Sequence, residues 1–164
     1  MASKRGQIEL DDAELAAFLT AAKTVIVGTN GPRGVPHMMP LWFVVHDSGD
    51  GACAGPEIWG WTFAKSQKTK NLERDPRATL LFEDGVSYEK LRGAMLECDV
   101  ERLTDYDAVR SIGIELFTKY GDGNYPHESV VAMIEAQAPK RVGLRFTARR
   151  VVSWDHRKLA AGVY

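Results

Sequence analysis

Residues 57–83 read EIWGWTFAKSQKTKNLERDPRATLLFE, and this stretch predicts a strand, a tight turn, a short helix and a second strand. Its apolar, aromatic-rich beginning predicts the first strand over Glu57 to Phe63. Ser66 can cap a helix that runs up to Asp75-Pro76, where a helix rarely continues. The strand pattern returns from Arg77 to Glu83. A helix N-terminus therefore lies directly after the end of a strand.

The start of this helix is a candidate anion-binding site. Helix N-termini present free N–H groups and the positive end of the helix dipole, and both favour an anion. Lys65 and Lys68 lie at this point, and the hydroxyls of Ser66 and Thr69 can donate hydrogen bonds beside them. The alternative is an ordinary capped surface helix with solvated lysines, which the spacing alone somewhat favours because lysine is usually exposed.

The chain before this stretch predicts a helix followed by a hairpin. Acidic and apolar residues at helical spacing predict a helix from Asp11 to near Lys23. Two strand-like runs, Thr24 to Thr29 and Pro36 to His46, are joined by the turn sequence NGPRG at 30–34 and therefore form a hairpin. Because proline cannot donate a ladder hydrogen bond, the two prolines of the second run place its first half at a sheet edge, at a bulge or where something other than a strand lies alongside.

The chain after this stretch predicts a strand, two helices and a closing strand. Alternation of apolar and charged residues predicts a half-buried strand over Ala94 to Val100. Thr104 is predicted to cap one helix, Pro126 to open a shorter one, and Val142 to Trp154 to form the last strand. The side chains expected to face inward are Ala94, Leu96, Cys98 and Val100, then Val109, Ile112 and Leu116, then Val130, Met133 and Ile134, and finally Val142, Leu144, Phe146 and Ala148. The segments 47–51 and 120–125 are predicted to be turns or loops.

Length and composition indicate one folded domain over residues 1–164. Net charge −1 argues against a general nucleic-acid or anionic-membrane binder. Cys53 and Cys98 are too few for a disulfide framework, and the first residues do not resemble a secretory leader. The longest apolar run, at 41–45, is far too short to span a membrane. We therefore expect a soluble, cytoplasmic α+β protein with an antiparallel barrel flanked by helices.

Several kinds of chemistry find no support in the sequence. The four histidines, at 37, 46, 127 and 156, lack metal-ligand spacing, so no metal site is predicted. No nucleophile elbow, dinucleotide fingerprint or Walker loop occurs. Aromatic residues near basic ones could stack on single-stranded nucleic acid, but the net charge weighs against it. Arg150 has the parity of inward-facing neighbours, so it must be paired, lie at a subunit contact or be turned to solvent by a bulge.

The segment from 62 to 77 resembles the signature of the pyridoxamine-phosphate-oxidase-like split β-barrels. More narrowly, it is similar to the flavin/deazaflavin oxidoreductases of actinobacteria, in a subgroup whose members are uncharacterised. Supporting matches are GVPH at 34–37, PLW at 40–42, YEKLRG at 88–93 and SWDHRKL at 153–159. The resemblance covers nearly the whole chain and implies an FMN-binding split barrel.

The resemblance also implies a homodimer whose cofactor lies in a groove between the subunits. It assigns the cofactor phosphate to Ser66 and Lys68 and the ring system to the strand from His37 to Trp42. The cofactor-binding residues that it implies are His37, Met39, Pro40, Leu41, Thr62, Lys65, Ser66, Lys68, Thr69 and Asn71. It assigns no catalytic acid or base.

The function implied by the resemblance is hydride transfer between a bound cofactor and a small organic acceptor, with F420 favoured over FMN. The alternative is a non-catalytic module that holds a flavin, a tetrapyrrole or another planar anion in the same groove. Two departures matter: F420-binding members often have Arg where this chain has Ser66, and the last residues, AAGVY at 160–164, lack the Arg-Leu-x-Pro motif of true pyridoxamine-phosphate oxidases. Pyridoxamine phosphate is therefore a poor substrate expectation.

Overall fold

Seven antiparallel strands form one curled sheet in the computed structural model, which describes residues 4–46, 56–124 and 126–159. The strands are β1 (Val25–Asn30), β2 (Pro36–Leu41), β3 (Val44–His46), β4 (Glu57–Phe63), β5 (Arg77–Asp84), β6 (Arg92–Leu103) and β7 (Arg141–Asp155). The α-helices are α1 (Lys4–Gln7), α2 (Asp12–Ala21), α3 (Gln67–Arg74), α4 (Tyr106–Tyr120) and α5 (His127–Gln137). The strand order is β2-β1-β5-β6-β7-β4-β3, and the curled sheet is the split barrel expected from the sequence.

The predicted strand from Pro36 to His46 is broken in the structure. Trp42 and Phe43 lie between β2 and β3, and these two strands occupy opposite edges of the sheet. The backbone N–H of Phe43 donates to the Tyr120 hydroxyl at 3.1 Å, and that hydroxyl donates to the Phe43 carbonyl at 2.9 Å. A side chain on α4 therefore replaces the strand ladder at Phe43, and the chain crosses from one sheet edge to the other. The prolines of β2 lie on an edge strand, as predicted.

The inner face of the sheet forms the main core. The alternating residues of β6 and β7 are buried as predicted, and Leu80, Phe82 and Phe146 are fully buried among them. Phe43 packs edge-on against Phe82, with ring centroids 5.1 Å apart. Burying one such large apolar side chain stabilises the fold by about 1.5–3 kcal/mol. Helix α2 covers one end of this core with Leu15, Phe18 and Leu19, and it ends at Ala21, close to the predicted end.

A β-bulge decides the orientation of Arg150. Across β6 and β7, Cys98 pairs with Ala148 but Glu97 pairs with Arg150, so Arg149 is an extra residue in β7. The bulge reverses the parity that predicted an inward Arg150. Its Nη1 donates to Glu97 Oε1 at 2.9 Å on the outer face, so the arginine is both exposed and paired.

Two further predictions of detail were wrong. Asp105, not Thr104, caps α4, because its carboxylate accepts the Ala108 N–H at 3.0 Å. Met133 was predicted to pack inward but is 49% exposed, whereas Val130 and Ile134 of the same helix are buried. Helix α5 buries only a narrow stripe, and Met133 lies beside that stripe on the wall of a cleft.

Some of the predicted features lie outside the described residues. These are Cys53, the turn at 47–51, Tyr125 and the last residues, 160–164. Cys98 is buried on β6, and burial raises the pKa of its thiol to about 12. Within the part of the chain that the structure describes, no helix has the length and apolar character needed to cross a membrane.

The half-buried position of Lys119 predicts that stability depends on pH. Its ammonium lies 3.7 Å from the centroid of the Phe43 ring, and burial, with help from Lys23, lowers its pKa to about 8. The unfolded chain, with a lysine pKa near 10.4, binds more protons between these values, so the Lys119 contribution to the free energy of unfolding rises from about pH 8 to about pH 10.4. Denaturant titrations at about pH 7 and about pH 10 should show wild type gaining stability relative to Lys119→Met. An unchanged difference between the two proteins would contradict this.

Candidate functional site

The start of α3 is built as the sequence predicted. Ser66 caps the helix, and its Oγ accepts the Thr69 N–H at 3.4 Å. The Thr69 hydroxyl lies 3.0 Å from Ser66 Oγ and donates to the Phe63 carbonyl at 3.2 Å. These two hydroxyls therefore hold the strand-to-helix turn together. In this structure they cap the helix and brace the turn, as expected for the alternative of an ordinary capped helix.

Lys68 is the principal correction to the sequence analysis. The alternative of a solvated surface lysine is wrong for this residue, because the side chain is buried, with only 6% of the residue exposed. Its Nζ lies 3.4 Å from Thr62 Oγ1, and among the described residues no carboxylate lies within ion-pairing distance of it. Burial lowers the pKa of this ammonium. Lys65 and Lys70, on the same segment, are exposed as expected.

Asn71 explains why Lys68 turns inward. It is fully buried, donates to Thr29 Oγ1 at 3.0 Å and accepts from Gln67 Nε2 at 2.8 Å. This bond ties α3 to β1 across the barrel end. Lys68 lies three positions before Asn71 and four before Leu72. Residues at these spacings share one face of a helix, so Lys68 lies on the buried face with them.

A cleft of about 800 Å³ opens at this point, between the barrel end and helices α4 and α5. Its volume lies in the ordinary range for small-molecule sites, about 300–1,000 Å³. Four of the ten predicted site residues line it: Pro40, Leu41, Thr62 and Lys68. Trp42, at the end of the strand assigned to the ring system, lines it as well, and the residues that sequence reasoning missed include Trp61, Phe117, Met133, Gln137 and Arg141.

Arg141 is the most important of the missed residues. It lies opposite Phe63 in the β4–β7 ladder, and its guanidinium lies 4.1 Å from the Phe63 ring centroid and 4.6 Å from that of Trp61. Its Nε is buried without a hydrogen-bond partner, and burial lowers the pKa of the guanidinium. The sequence prediction began the strand at Val142, and nothing along the chain places residue 141 beside residue 63.

The cleft is cationic and aromatic. Lys68 and Arg141 line it, and no carboxylate does so among the residues that the structure describes. Trp42 stacks on Tyr120 with ring centroids 4.6 Å apart and an angle of 2°, yet it remains 59% exposed, so its other face is open. A buried and a half-buried cation without counter-ions favour an anionic ligand, and exposed aromatic faces favour a planar one.

A family profile described as pyridoxamine 5'-phosphate oxidase matches residues 11–155, which include the barrel and every residue of the cleft. The chain belongs to this family. The segment with Ser66, Lys68 and Asn71, which resembles the pyridoxamine 5'-phosphate oxidase signature, lies within the matched residues. No protein of curated function matches the sequence.

Solved structures of the pyridoxamine 5'-phosphate oxidase fold include similar proteins of different description. A conserved hypothetical protein from Mycobacterium tuberculosis shares 38% identity over 98% of each chain, with a TM-score of 0.82. An F420 reductase shares 19% identity over 82% of this chain and 93% of its own, with a TM-score of 0.60. A heme storage protein from Vibrio cholerae shares 13% identity over 87% of this chain and 94% of its own, with a TM-score of 0.63. The last two similarities concern the fold alone.

The other predicted site residues lie around the cleft or away from it. Ser66, Thr69 and Asn71 build the turn behind Lys68, and Lys65 is exposed beside it. His37 and Met39 lie on the edge strand β2, where Met39 is 46% exposed and His37 Nδ1 is buried without a hydrogen-bond partner. In this family member, the residues of the two predicted segments that line the cleft are Pro40, Leu41, Trp42, Thr62 and Lys68.

A second concave surface lies on the outer face of the sheet. Ile26, Leu81 and Met95 occupy adjacent register positions on β1, β5 and β6, and Met38 beside them is 56% exposed. Charged side chains form the rim of this surface: Arg77, Glu97, Asp99 and Arg149. An apolar centre with a charged rim is typical of a protein–protein interface.

Proposed function

We propose that this protein is an oxidoreductase that transfers a hydride between a bound deazaflavin (F420) or FMN and a small organic acceptor. The observation that carries the proposal is the buried ammonium of Lys68, which has no counter-ion among the described residues and lines a cleft with aromatic walls. A buried charge needs a partner, and a cofactor phosphate is a suitable one. When bound, the cofactor supplies the hydride chemistry. F420 remains favoured over FMN through the family resemblance.

The residues of the chain hold and orient this cofactor. Lys68 binds the phosphate, and Thr62, whose hydroxyl already contacts the lysine, helps to fix the position of the ammonium. The β2 segment from His37 to Leu41 supports the ring system, with Pro40 and Leu41 on the wall of the cleft. Ser66, Thr69 and Asn71 keep the α3 turn rigid, and Lys65 adds positive charge at its exposed side. Hydride delivery requires no side-chain acid or base, so we assign none.

Cofactor titration tests this proposal. Absorbance titrations of the purified protein with F420, FMN and riboflavin should show binding of a phosphate-bearing cofactor and weaker binding of riboflavin, which has the same ring system as FMN without the phosphate. Anaerobic mixing of the reduced cofactor with candidate acceptors should then reoxidise it faster with protein than without. Failure of both F420 and FMN to bind would contradict the proposal.

The alternative is a non-catalytic module for a flavin, a tetrapyrrole or another planar anion. It is supported by the same two cations and open aromatic faces, which do not by themselves require turnover. The heme storage protein with this fold is one example of a family neighbour described by what it stores. Tight binding with no acceptor-dependent reoxidation would favour this alternative. A cytoplasmic location, expected from the sequence, is part of both proposals.

We also propose that two copies of the chain pair through the outer face of the sheet. Sedimentation at micromolar concentration should show about 36 kDa, twice the 18.2 kDa chain, as for the commonest two-fold oligomer. Leu81→Glu places a charge at the centre of the apolar row between Ile26 and Met95, so this variant should sediment as a monomer. A monomeric wild-type protein would contradict the dimer and the shared cofactor groove.

A further inference from the structure

We propose that Arg141 and the helical wall of the cleft form a binding subsite for an apolar organic carboxylate, with Arg141 pairing the carboxylate. This inference rests on the proposed function, because it names the class of acceptor that the cleft takes beside its cofactor. The phosphate assigned to Lys68 and the carboxylate assigned to Arg141 are then two separate anionic groups in one cleft.

The guanidinium of Arg141 is held in place before any ligand arrives. Its Cζ lies over the rings of Phe63 and Trp61, at 4.1 Å and 4.6 Å from their centroids, and these two cation–π contacts fix the position of the guanidinium. It has no ion pair among the described residues, and its buried Nε makes no hydrogen bond. Planar N–H groups in fixed positions match a carboxylate better than a single ammonium does. Arg145, four residues along β7, differs because it pairs with Glu57 at 2.6 Å.

The wall beside Arg141 comes from the two helices and is mainly apolar, with Gln137 as its polar member. Phe117 of α4 and Met133 of α5 line it, and Met133 is 49% exposed toward the cleft although its neighbour Ile134 is buried. Gly113 shapes this wall, because a Cβ there would lie 2.8 Å from both Trp61 Cζ3 and Ile134 Cγ2. The absence of a side chain at Gly113 lets α4 approach Trp61, the ring that supports the guanidinium. An exposed methionine and an aromatic ring suit the apolar body of a ligand.

Binding of a matched pair of probes tests this subsite. Naphthoate and naphthamide have the same apolar ring and differ in the negative charge. Titration followed by tryptophan fluorescence or calorimetry should show naphthoate binding at least about tenfold more tightly than naphthamide, because a hydrogen bond to a charged group exceeds one to a neutral group. Arg141→Gln should remove this preference. Lys70→Gln, which removes an exposed positive charge from α3, should preserve it.

The outcomes separate this inference from the proposed function. Loss of the naphthoate preference in Arg141→Gln alone supports the subsite. If Lys68→Gln removes the preference and Arg141→Gln does not, the carboxylate binds at the lysine and the subsite is wrong. Equal binding of both probes by the wild-type protein also overturns it. FMN titration of the same variants reports separately on the cofactor proposal, since FMN affinity is expected to depend on Lys68.

Discussion

Lys68→Met should bind FMN about ten- to a hundredfold more weakly than wild type, the loss expected when a hydrogen bond to a charged phosphate is removed. Methionine fills a similar volume with an apolar chain, so the cleft keeps its shape while the positive charge disappears. Riboflavin, which has no phosphate, should bind both proteins equally. Absorbance titration with the two flavins measures both effects.

The same substitution should raise the stability of the protein without cofactor. The Lys68 ammonium is buried, and the Thr62 hydroxyl at 3.4 Å is its hydrogen-bond partner among the described residues. Replacing it by an apolar group removes a desolvation cost, so the free energy of unfolding should rise by about 1 kcal/mol. This gain should shrink as the pH rises from the lowered folded pKa toward the unfolded value near 10.4, because wild type then loses its charge.

Lys70→Met is the matched control for both measurements. Lys70 lies on the same helix and is exposed, so its removal should change FMN affinity and stability little. If the two variants show equal small losses of FMN affinity, the effect is diffuse electrostatics and the phosphate site at Lys68 is wrong.

Gly60→Ala should lower the free energy of unfolding by about 1–3 kcal/mol, the usual cost of overpacking a closed core. A Cβ at Gly60 would lie 2.9 Å from the Trp42 carbonyl oxygen and 3.0 Å from Leu41 Cδ2. The carbonyl belongs to the backbone that crosses between the sheet edges, so it cannot move aside as a flexible side chain would. The clash must exceed the gain of about 0.5–1 kcal/mol that alanine normally brings over glycine in a strand.

Gly28→Ala is the matched control for this prediction. Gly28 is also a strand glycine, but its nearest contacts for a Cβ are ordinary, at 3.4 Å from the Thr79 carbonyl and 4.0 Å from Met38 Cγ. This variant should be as stable as wild type or more so. Denaturant titration compares the two alanine variants directly. Equal stability of both would show that β4 does not need glycine at position 60 to pack against the backbone of Trp42.

Local patterns predicted the helices and strands well where a single capping residue or a regular spacing of apolar residues determines them. The bounds of β4 agree with the prediction, and α3 follows from the Ser66 cap and the stop at Asp75-Pro76. The alternating faces of β6 and β7 were also confirmed, because alternation directly reports a sheet with one buried face. Errors arose where a distant group intervened, as when Tyr120 bonds the Phe43 backbone and when the bulge at Arg149 reverses the parity of Arg150.

The candidate site also has some features that the sequence predicts and others that only the tertiary structure shows. The S-x-K-x-x-N segment and the proline-interrupted strand are visible in the sequence because their chemistry depends on residues a few positions apart. The burial of Lys68, the cation–π contacts of Arg141 with Trp61 and Phe63, and the helical wall of the cleft depend on β4, β7 and α4 meeting in space. Burial and charge pairing are properties of such long-range packing. The sequence by itself therefore determined where the segment with Lys68 begins its helix, and only the tertiary structure decided that Lys68 and Arg141 line one cleft without a carboxylate among the described residues.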